Sequence, residues 1–573
     1  MDNAAIARAL TDIADLLEIK GENAFKIRAY RSAADVVQTS GEPVARMTDA
    51  QLRALPGIGK DLSARIRELA DTGTCAPYRE LMAAFPATIL DLLRLQGVGP
   101  KTVALLYHSL GVDSVEALSA AAQAGRLRTL KGMGPKKESL ILKAIDDRTR
   151  TAGRHLLADA AALAEDIITS LLAAHPAVSI LPVGSLRRGV ETCGDVDLLC
   201  TGADRSVMDT FVTHPRVEQV LGRGDTKSSV RVRSGVQVDL RVVPSASRGA
   251  AMQYFTGSKA HNIELRDRAQ QRGMTLNEYG LTRLDDGQVV ASATEEDIYH
   301  ALGLSWIAPE LREHKGEIDA ADTGGLPHLI APSDLRGDLH MHTTATDGRD
   351  SLEAMAAEAH RLGYQYIAIT DHSKALAMAN GLDERRALEH AARVRQLNGR
   401  FEGLTLLAGI ECDILADGSL DLADDCLAQL DVVVASIHSH FSQEPAQLTD
   451  RVLRAIECRW VDVLGHLTGR RLLQRQALAM DVPRIVAAAV ARGVALEINS
   501  QVDRLDLSDV HVRLAREHEA KFIISSDAHS TGAFANVRWG VQVARRGWLT
   551  AEHVLNTYPL ERLRPALRRA RAA

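Results

Sequence analysis

The chain lacks any pair of cysteines spaced to clamp a metal or seed a disulfide framework. Its six cysteines, Cys75, Cys193, Cys200, Cys412, Cys426 and Cys458, are scattered with no Cys-x-x-Cys pair, which argues against a thiolate zinc site and a disulfide-stapled fold. No run of eighteen uncharged apolar residues occurs, so no segment reads as a membrane span. The first residues, MDNAAIARALTDIADLLEIKGE, carry acids where an export signal has basic residues ahead of an apolar core, and a cytoplasmic location is expected. A basic excess is missing too: net charge is −6. Residues 1–315 hold 39 Lys+Arg against 39 Asp+Glu, and residues 316–573 hold 29 against 35. The surplus acid lies entirely in the C-terminal part, so any phosphate binding must come from local clusters and backbone donors. What remains is a soluble globular composition, 46% apolar and 25% charged, over 573 residues, enough for several domains.

The most informative stretch is Val183 to Leu199, VGSLRRGVETCGDVDLL. An apolar run enters Gly184 and Ser185, a basic turn carries Arg187 and Arg188, and a second apolar run holds Asp195 and Asp197. Residues i and i+2 of a strand share a face, so these two carboxylates meet at one spot. Like charges so close repel, and a divalent cation is the usual remedy. The Gly-Ser turn leaves backbone N–H groups to cradle phosphate, and Arg188 offers the fork that suits its oxygens. Asp-x-Asp alone is as well explained by a surface hairpin. The Gly-Ser turn, the arginines and a third strand acid, Asp239 in VQVDLRVV, favour Mg²⁺-dependent phosphoryl or nucleotidyl transfer.

Before this stretch the chain reads as short helices. One helical pattern stops at Gly21, and the next restarts with Asn23 as a cap. LPGIGKDLSARI, LQGVGPKTVALLY and LKGMGPKKESLIL then repeat a Gly-x-Gly turn between helical patterns, at Gly57/Gly59, Gly97/Gly99 and Gly132/Gly134. Such a turn presents N–H donors at a helix N-terminus and lets a phosphate approach closely. One copy is often only a tight helix connection; three, 40 and 35 residues apart, point to a sequence-independent grip on the DNA backbone. This is the helix-hairpin-helix pattern.

GSLRRG followed by GDVDLL, then VDLRVV and QYFTGSKAHN, closely resembles the nucleotidyltransferase core of family X DNA polymerases. That resemblance implies a palm in which Asp195, Asp197 and Asp239 hold two Mg²⁺ or Mn²⁺ ions and Ser185, Arg188 and Gly194 contact the triphosphate of a dNTP. Arg187 reads as a solvated neighbour. In the thumb, Tyr254, Phe255 and the turn at Gly257 precede a helix carrying Asn262 and Arg266 on one face, aimed by the resemblance at the minor groove of the nascent base pair. On sequence alone Tyr254 and Phe255 are as well read as core aromatics. Lys259 reads as exposed, and MTLNEYGL as a thumb strand. One departure from the family stands out. Where its eukaryotic repair members carry a Schiff-base lysine, this chain has Arg65, and a guanidinium cannot serve as that amine. No lyase of that type is expected, with Lys60 as a weak alternative.

Residues 334–573 alternate apolar strand runs (YIAIT, LLAGIE, VVVASIH, VDVLGH, ALEIN, FIISSD) with helical segments, an α/β barrel pattern. Nearly every run ends in a metal-binding residue type: His340, His342, Asp347, His372, Glu411, His438, His466, Asp527 and His529. Such mixtures suit Mn²⁺, Zn²⁺ or Fe²⁺. This half resembles the polymerase and histidinol phosphatase (PHP) domain. The resemblance implies one ion on His340, His342, Glu411 and Asp527, a second on Glu411, His438 and His466, and a third on Asp347, His372 and His529, together activating water against a phosphodiester. Asp371 is a candidate to orient a ligand; His440 reads as facing solvent.

The expected fold is therefore multidomain: α-helical helix-hairpin-helix domains, an α+β nucleotidyltransferase palm and thumb, and a distorted TIM-like α/β barrel. The boundaries read as an N-terminal DNA-binding domain 1–85, fingers 86–150, palm 151–245, thumb 246–315, a Gly/Pro/Ala-rich linker 316–333 letting the halves move independently, and a PHP domain 334–573. The expected function is a DNA-directed, gap-filling repair polymerase with a Mn²⁺-dependent 3′→5′ exonuclease or 3′-end-processing activity, acting on gapped or 3′-ended duplex DNA and dNTPs as a nucleoid-associated monomer. The alternatives are a template-independent nucleotidyltransferase and a DNA-binding repair scaffold with only its phosphoesterase active.

Overall fold

The computed structural model describes residues 3–39, 44–86, 88–93, 95, 98–151, 153–202 and 206–567. Two compact units divide the chain, Met1–Ala152 and Gly153–Ala573. Among the described residues no helix is long and apolar enough to cross a membrane.

The first unit is helical. Helix Asn3–Lys20 ends before Gly21, and Asn23 caps Ala24–Thr39 by accepting the Phe25 N–H at 2.8 Å. Each helix-hairpin-helix turn is built one way. Gly59 and Gly99 sit immediately before helices Lys60–Thr72 and Pro100–Leu110, and Gly134 before Pro135–Thr151. The residue between the glycines is the anchor: Ile58, Val98 and Met133 are all buried. That apolar plug fixes the turn to the core while the glycines stay outside, and a Cβ on Gly59, Gly99 or Gly134 would meet nothing within 4 Å. Gly57 and Gly132 have φ of +72° and +82°, where a side chain is strained. Gly97 lies outside the described residues.

In the second unit the palm is a five-stranded sheet in spatial order Ser179–Pro182, Asp195–Thr201, Gln237–Val243, Lys227–Val232, Val217–Arg223. The two acid-bearing strands are parallel neighbours with Asp197 opposite Asp239. Helices Arg248–Thr256 and Lys259–Gln271 follow, then an antiparallel ribbon of Met274–Asn277, Gly280–Arg283 and Val289–Ala291, which contains the expected thumb strand.

The barrel has seven parallel strands in sequence order, Gly337–Asp338, Tyr366–Ile369, Thr405–Asp413, Val432–Ser436, Val463–Leu464, Ala495–Asn499 and Phe522–Ser525. A parallel bridge from Met341 to Ala528 brings the first and last together. Nearly every strand residue is buried, as helices on the outside of a parallel sheet require. The sequence reading lacked the two-residue strand Gly337–Asp338; it has no apolar run of its own, and Gly337 is there because a Cβ would strike the Tyr366 ring at 2.3 Å.

Residues 316–333 are not a plain linker. Helix Glu317–Asp322 buries Glu317, Ile318 and Ala321 in the thumb core, which also takes in Trp548 from the barrel. Palm residues such as Ile167 and Leu198 share a second core with barrel residues such as Leu496 and Trp539. A buried Trp removes some 200 Å² from water, worth up to ~5 kcal/mol, so palm, thumb and barrel form one packed unit rather than independently moving halves. Composition misled here because Glu317 spends its carboxylate on the chain itself, accepting the His314 N–H at 2.9 Å and the Lys315 N–H at 2.6 Å and pairing with His261 at 2.7 Å.

Candidate functional site

The structure assembles two groups of chemistry-bearing residues in the second unit. In the palm, the Gly184–Arg187 turn lies directly over the acid-bearing strand: Gly184 has φ +64°, and a Cβ there would meet Asp197 Oδ2 at 2.5 Å. Only glycine allows that approach. Asp195 is exposed, Asp197 half-buried and Asp239 buried. Burial, together with the charges of Asp195 and Asp239, pushes the Asp197 carboxyl up to about 6. Asp239 is offset differently: burial raises it, but Lys227, Ser229 and Gln237 hold it below the usual range. The Lys227 ammonium lies 2.7 Å from Asp239 Oδ2 and stands where a cation is wanted. Crowded carboxylates, with Asp197 raised by its neighbours and a lysine already drawn in, fit divalent cations.

The Ser185 hydroxyl faces the Cys193 thiol, and Gly194 lies beside Arg154. Arg188 is mostly buried; its Nε donates to Glu313 at 3.0 Å and its Nη1 to the Thr256 carbonyl at 2.5 Å. A Cβ on Gly257 would come within 3.2 Å of that guanidinium. Arg187 is not a solvated neighbour. It makes a two-pronged pair with buried Glu295 at 2.8 and 2.7 Å and bonds Thr256 Oγ1 at 2.6 Å, tying palm to thumb. Burial would raise Glu295, yet Arg187 and Arg312 hold it down at about 2. Tyr254 and Phe255 are half-buried, their rings edge to face at 5.1 Å, with Arg241 over Phe255 at 4.5 Å. Asn262 donates to the Tyr254 carbonyl at 2.7 Å and accepts from Gln253 at 2.7 Å; Arg266 is half-buried one turn on, and Lys259 is exposed. In the first unit Arg65 lies between Asp61 at 3.4 Å and Glu68 at 3.6 Å, and Lys60 is exposed.

All nine barrel residues converge at the strand ends. Glu411 is the hub: His340 and His342 Nε2 lie 3.3 and 3.6 Å from Oε2 and His372 Nδ1 2.9 Å, while His438 and His466 Nε2 lie 3.4 and 2.9 Å from Oε1. Asp527 Oδ1 is 3.1 Å from His342 Nε2, and Asp347 Oδ2 is 3.4 and 3.5 Å from His372 and His529 Nε2. Ligand atoms within 4.8 Å of one another form three groups: His340, His342 and Asp527; His372, Glu411 and His438; and His342, Asp347, His372 and His529. In these groups His372 is shared by two, and His342 bridges the other pair.

The ring nitrogens His340 Nε2, His342 Nδ1, His372 Nδ1 and His466 Nδ1 are buried without hydrogen bonds. Those of His340, His342 and His372 face Glu411 or Asp347, and buried ring nitrogens facing carboxylates in this way fit divalent metal ions. To these carboxylates the histidines supply counter-charge. Burial lowers them, but Glu411 and Asp347 lift His372 to about 10, and Glu411 and Asp413 lift His438 to about 9. His342, buried next to His529 and His372, drops to about 4. Burial would raise Glu411, yet His340, His438 and His372 hold it well below the carboxylate range.

The outer ring of acids was largely missed in the sequence. Glu497 accepts from His340 Nδ1 and the His466 N–H, both at 2.6 Å, and from Ser525 Oγ; Asn499 Nδ2 donates to Asp527 Oδ2 at 2.9 Å. Asp413 pairs with His438 Nδ1. The available signal was an acid inside an apolar strand run, as in ALEIN and GIECD. Asp371, already singled out, accepts from the Thr343 N–H and Oγ1 at 2.8 Å, Thr346 Oγ1 at 2.6 Å and His390 Nε2 at 2.8 Å, fixing the loop between His342 and Asp347. His440 is exposed.

A carboxylate-bearing palm under a glycine turn, packed against a histidine-rich barrel, defines a polymerase-beta-like nucleotidyltransferase joined to a metal-dependent phosphoesterase. Comparison with known proteins agrees. Family descriptions match for a helix-hairpin-helix domain over residues 1–75, a SAM-like helix-hairpin-helix tandem over 89–147, the DNA polymerase beta palm over 158–234 and thumb over 251–313, and the PHP domain over 338–501. The DNA polymerase/3′-5′ exonuclease PolX of Bacillus subtilis (strain 168) is 35% identical over 572 residues, 99% of this chain and 100% of the relative. DNA polymerase lambda of Rattus norvegicus is 27% identical over 341 residues, 54% of this chain and 56% of its own. A probable phosphatase of Thermoanaerobacter sp. (strain X514) is 28% identical over 231 residues, 38% of this chain and 89% of its own. The chain belongs to the PolX family of bacterial family X DNA polymerases that carry a PHP domain.

Proposed function

We propose that the chain fills short gaps in DNA by templated nucleotide addition at the palm and trims 3′ ends by Mn²⁺-dependent 3′→5′ exonuclease action at the barrel. The carrying observation is the pair of complete side-chain sets in one packed unit: Asp197 opposite Asp239 under the Gly184 turn, and nine converging residues around Glu411.

At the palm, Asp195, Asp197 and Asp239 would hold Mg²⁺ or Mn²⁺. Ser185, Gly194 and the backbone of the turn bind the triphosphate, with Arg188 supplying cationic donors. Tyr254, Phe255 and Gly257 shape the floor under the incoming nucleotide, and Asn262 and Arg266 read the minor-groove edge of the new pair. The helix-hairpin-helix glycines Gly57, Gly59, Gly97, Gly99, Gly132 and Gly134 hold the DNA backbone. At the barrel, the nine residues would hold up to three divalent ions, Mn²⁺, Zn²⁺ or Fe²⁺, with Glu497 and Asp413 orienting His340 and His438. Bound ions supply charge neutralisation and activation of the attacking oxygen at both centres. Arg65, paired with acids on both sides, provides no amine for a lyase step. The working form is a monomer, with the domain partition given above except that 317–322 belongs to the thumb core.

The match of the barrel to probable phosphatases favours a second reading for that centre, removal of a 3′-terminal phosphate. A time course on labelled, one-nucleotide-gapped DNA with Mn²⁺, with and without the templated dNTP, separates these. Extension by the templated dNTP alone, and 3′ shortening that vanishes in Asp527→Ala, is the expected result. On a matched primer carrying a 3′-phosphate, loss of that phosphate without shortening would transfer the barrel to the second reading, and untemplated extension of the 3′-hydroxyl primer would overturn the first.

A further inference from the structure

Helix Val537–Arg546 belongs to the barrel, yet its surface forms the outer wall of the palm's glycine turn. Gly189 closes that turn with φ +65°, and a Cβ there would meet the Gln542 side chain at 3.1 Å. At the end of the helix lies Arg546, whose side chain is only 9% exposed. Its Nη1 donates at 2.9 Å both to the Arg188 carbonyl and to Glu313 Oε1, and its Nη2 donates at 2.9 Å to Asp509 Oδ2. Asp509 is itself paired with Lys315 at 3.3 Å.

Glu313 Oε1 is thus shared. It accepts from Arg546 on the barrel side and from Arg188 Nε on the palm side. Arg188 is held at three points: its carbonyl by Arg546, its Nε by Glu313, and its Nη1 by the Thr256 carbonyl. Among the described residues Nη2 takes no such bond, and it is the guanidinium nitrogen that would meet an incoming phosphate. Without Arg546, Glu313 would lose the cation that fixes it against the barrel, and the Arg188 carbonyl would lose its donor. A long side chain released in this way regains rotamer freedom that ligand binding must then remove.

We propose that Arg546 is a positioning residue of the polymerase centre: through Glu313 and the Arg188 carbonyl it fixes the Arg188 guanidinium for the triphosphate of the incoming dNTP. The barrel thereby sets nucleotide affinity at a site to which it contributes no ligand. This rests on the reading of Arg188 as a triphosphate contact.

The test is steady-state filling of a one-nucleotide gap by the full chain, with KM for the templated dNTP and kcat measured separately. Arg546→Met is expected to raise KM about tenfold with little change in kcat, since contacts made equally in ground and transition states appear in KM. Arg545→Met is the control. Arg545 lies on the same helix but crosses to Glu310 at 2.7 Å and to the Ile330 carbonyl at 2.9 Å rather than to Arg188, and the variant's KM should stay within about twofold of wild type. Arg188→Ala should raise KM as well, and Arg188→Ala combined with Arg546→Met should be no worse than Arg188→Ala alone, because the two act in series. Retained 3′ shortening certifies the fold of each variant. If Arg546→Met loses it, Glu313→Gln, which leaves the barrel intact, carries the same expected rise in KM. An unchanged KM in Arg188→Ala overturns the triphosphate reading and this inference with it. A raised KM in Arg188→Ala with wild-type values in Arg546→Met, or in Glu313→Gln, overturns the relay alone. An equal rise in Arg545→Met and Arg546→Met overturns it in favour of general loosening between barrel and thumb.

Discussion

The two centres solve the same problem, crowded carboxylates, in opposite ways. The palm answers its acids with half-buried Lys227 on Asp239 and the charge of Arg241 near Asp197, and leaves Asp195 in solvent. The barrel buries its acids and answers them with its own histidines, five of whose rings approach Glu411. An open site with a displaceable lysine suits ions that arrive with a nucleotide and leave with pyrophosphate. A buried site whose ligands already neutralise one another suits ions that stay. Burial and counter-charge thus separate a transient metal site from a resident one, although both are built from strand-end carboxylates.

The strongest way to break this comparison is to remove one carboxylate from each centre. Asp197→Ala is expected to lower nucleotide addition by roughly a thousandfold or more while leaving 3′ degradation intact, and Glu411→Ala to do the reverse. Gap filling and end trimming measured on the same preparations check both, and an effect that crossed between the assays would merge the two centres. Next in size is the outer ring. Glu497→Gln, which weakens the acceptor on His340 Nδ1, should lower metal affinity of the barrel about 10- to 100-fold, read by chelator competition with metal content measured afterwards.

A third distinction is pH. Asp197 titrates at about 6, so protons compete with Mg²⁺ only below that value; apparent affinity at the palm should fall up to about tenfold per unit as pH drops below 6 and stay level above it. In the barrel His438 and His372 rise to about 9 and about 10. Ions must displace those protons, so affinity there should keep climbing up to about pH 10, more steeply below about pH 9. Calorimetry in buffers of different ionisation enthalpy counts the protons released and separates the two. The smallest effect concerns the first unit. Gly59→Ala introduces a Cβ that meets nothing within 4 Å in the protein, so thermal stability should hold while DNA affinity falls about threefold, because the added methyl stands where a phosphate approaches.

What the sequence made legible was chemistry concentrated in short stretches. Asp195 and Asp197 share one strand and sit beside the Gly-Ser turn, so period-two geometry alone joined them, and Asp239 was recognisable as an acid in an apolar strand. The converging barrel residues were readable because most of them follow a hydrophobic run at the end where parallel barrels build their sites. Glu497 lay in such a run too but inside it, where nothing local distinguishes a ligand-orienting acid from an awkward one. Arg187 was misread for a related reason: its partner Glu295 is more than a hundred residues away, and no spacing rule reaches across that separation. Residues 316–333 failed on composition, since glycine and proline mark a loop but do not say whether a buried acid such as Glu317 will tie it down.

The position of Arg546 orders events during synthesis. The converging barrel residues run from His340 to His529, so the palm strands leave the ribosome long before that cluster can close. Arg546 emerges only after His529. On the positioning role proposed for Arg546, a nascent or C-terminally truncated chain gains a fully positioned nucleotide pocket only once all nine converging barrel residues have been made.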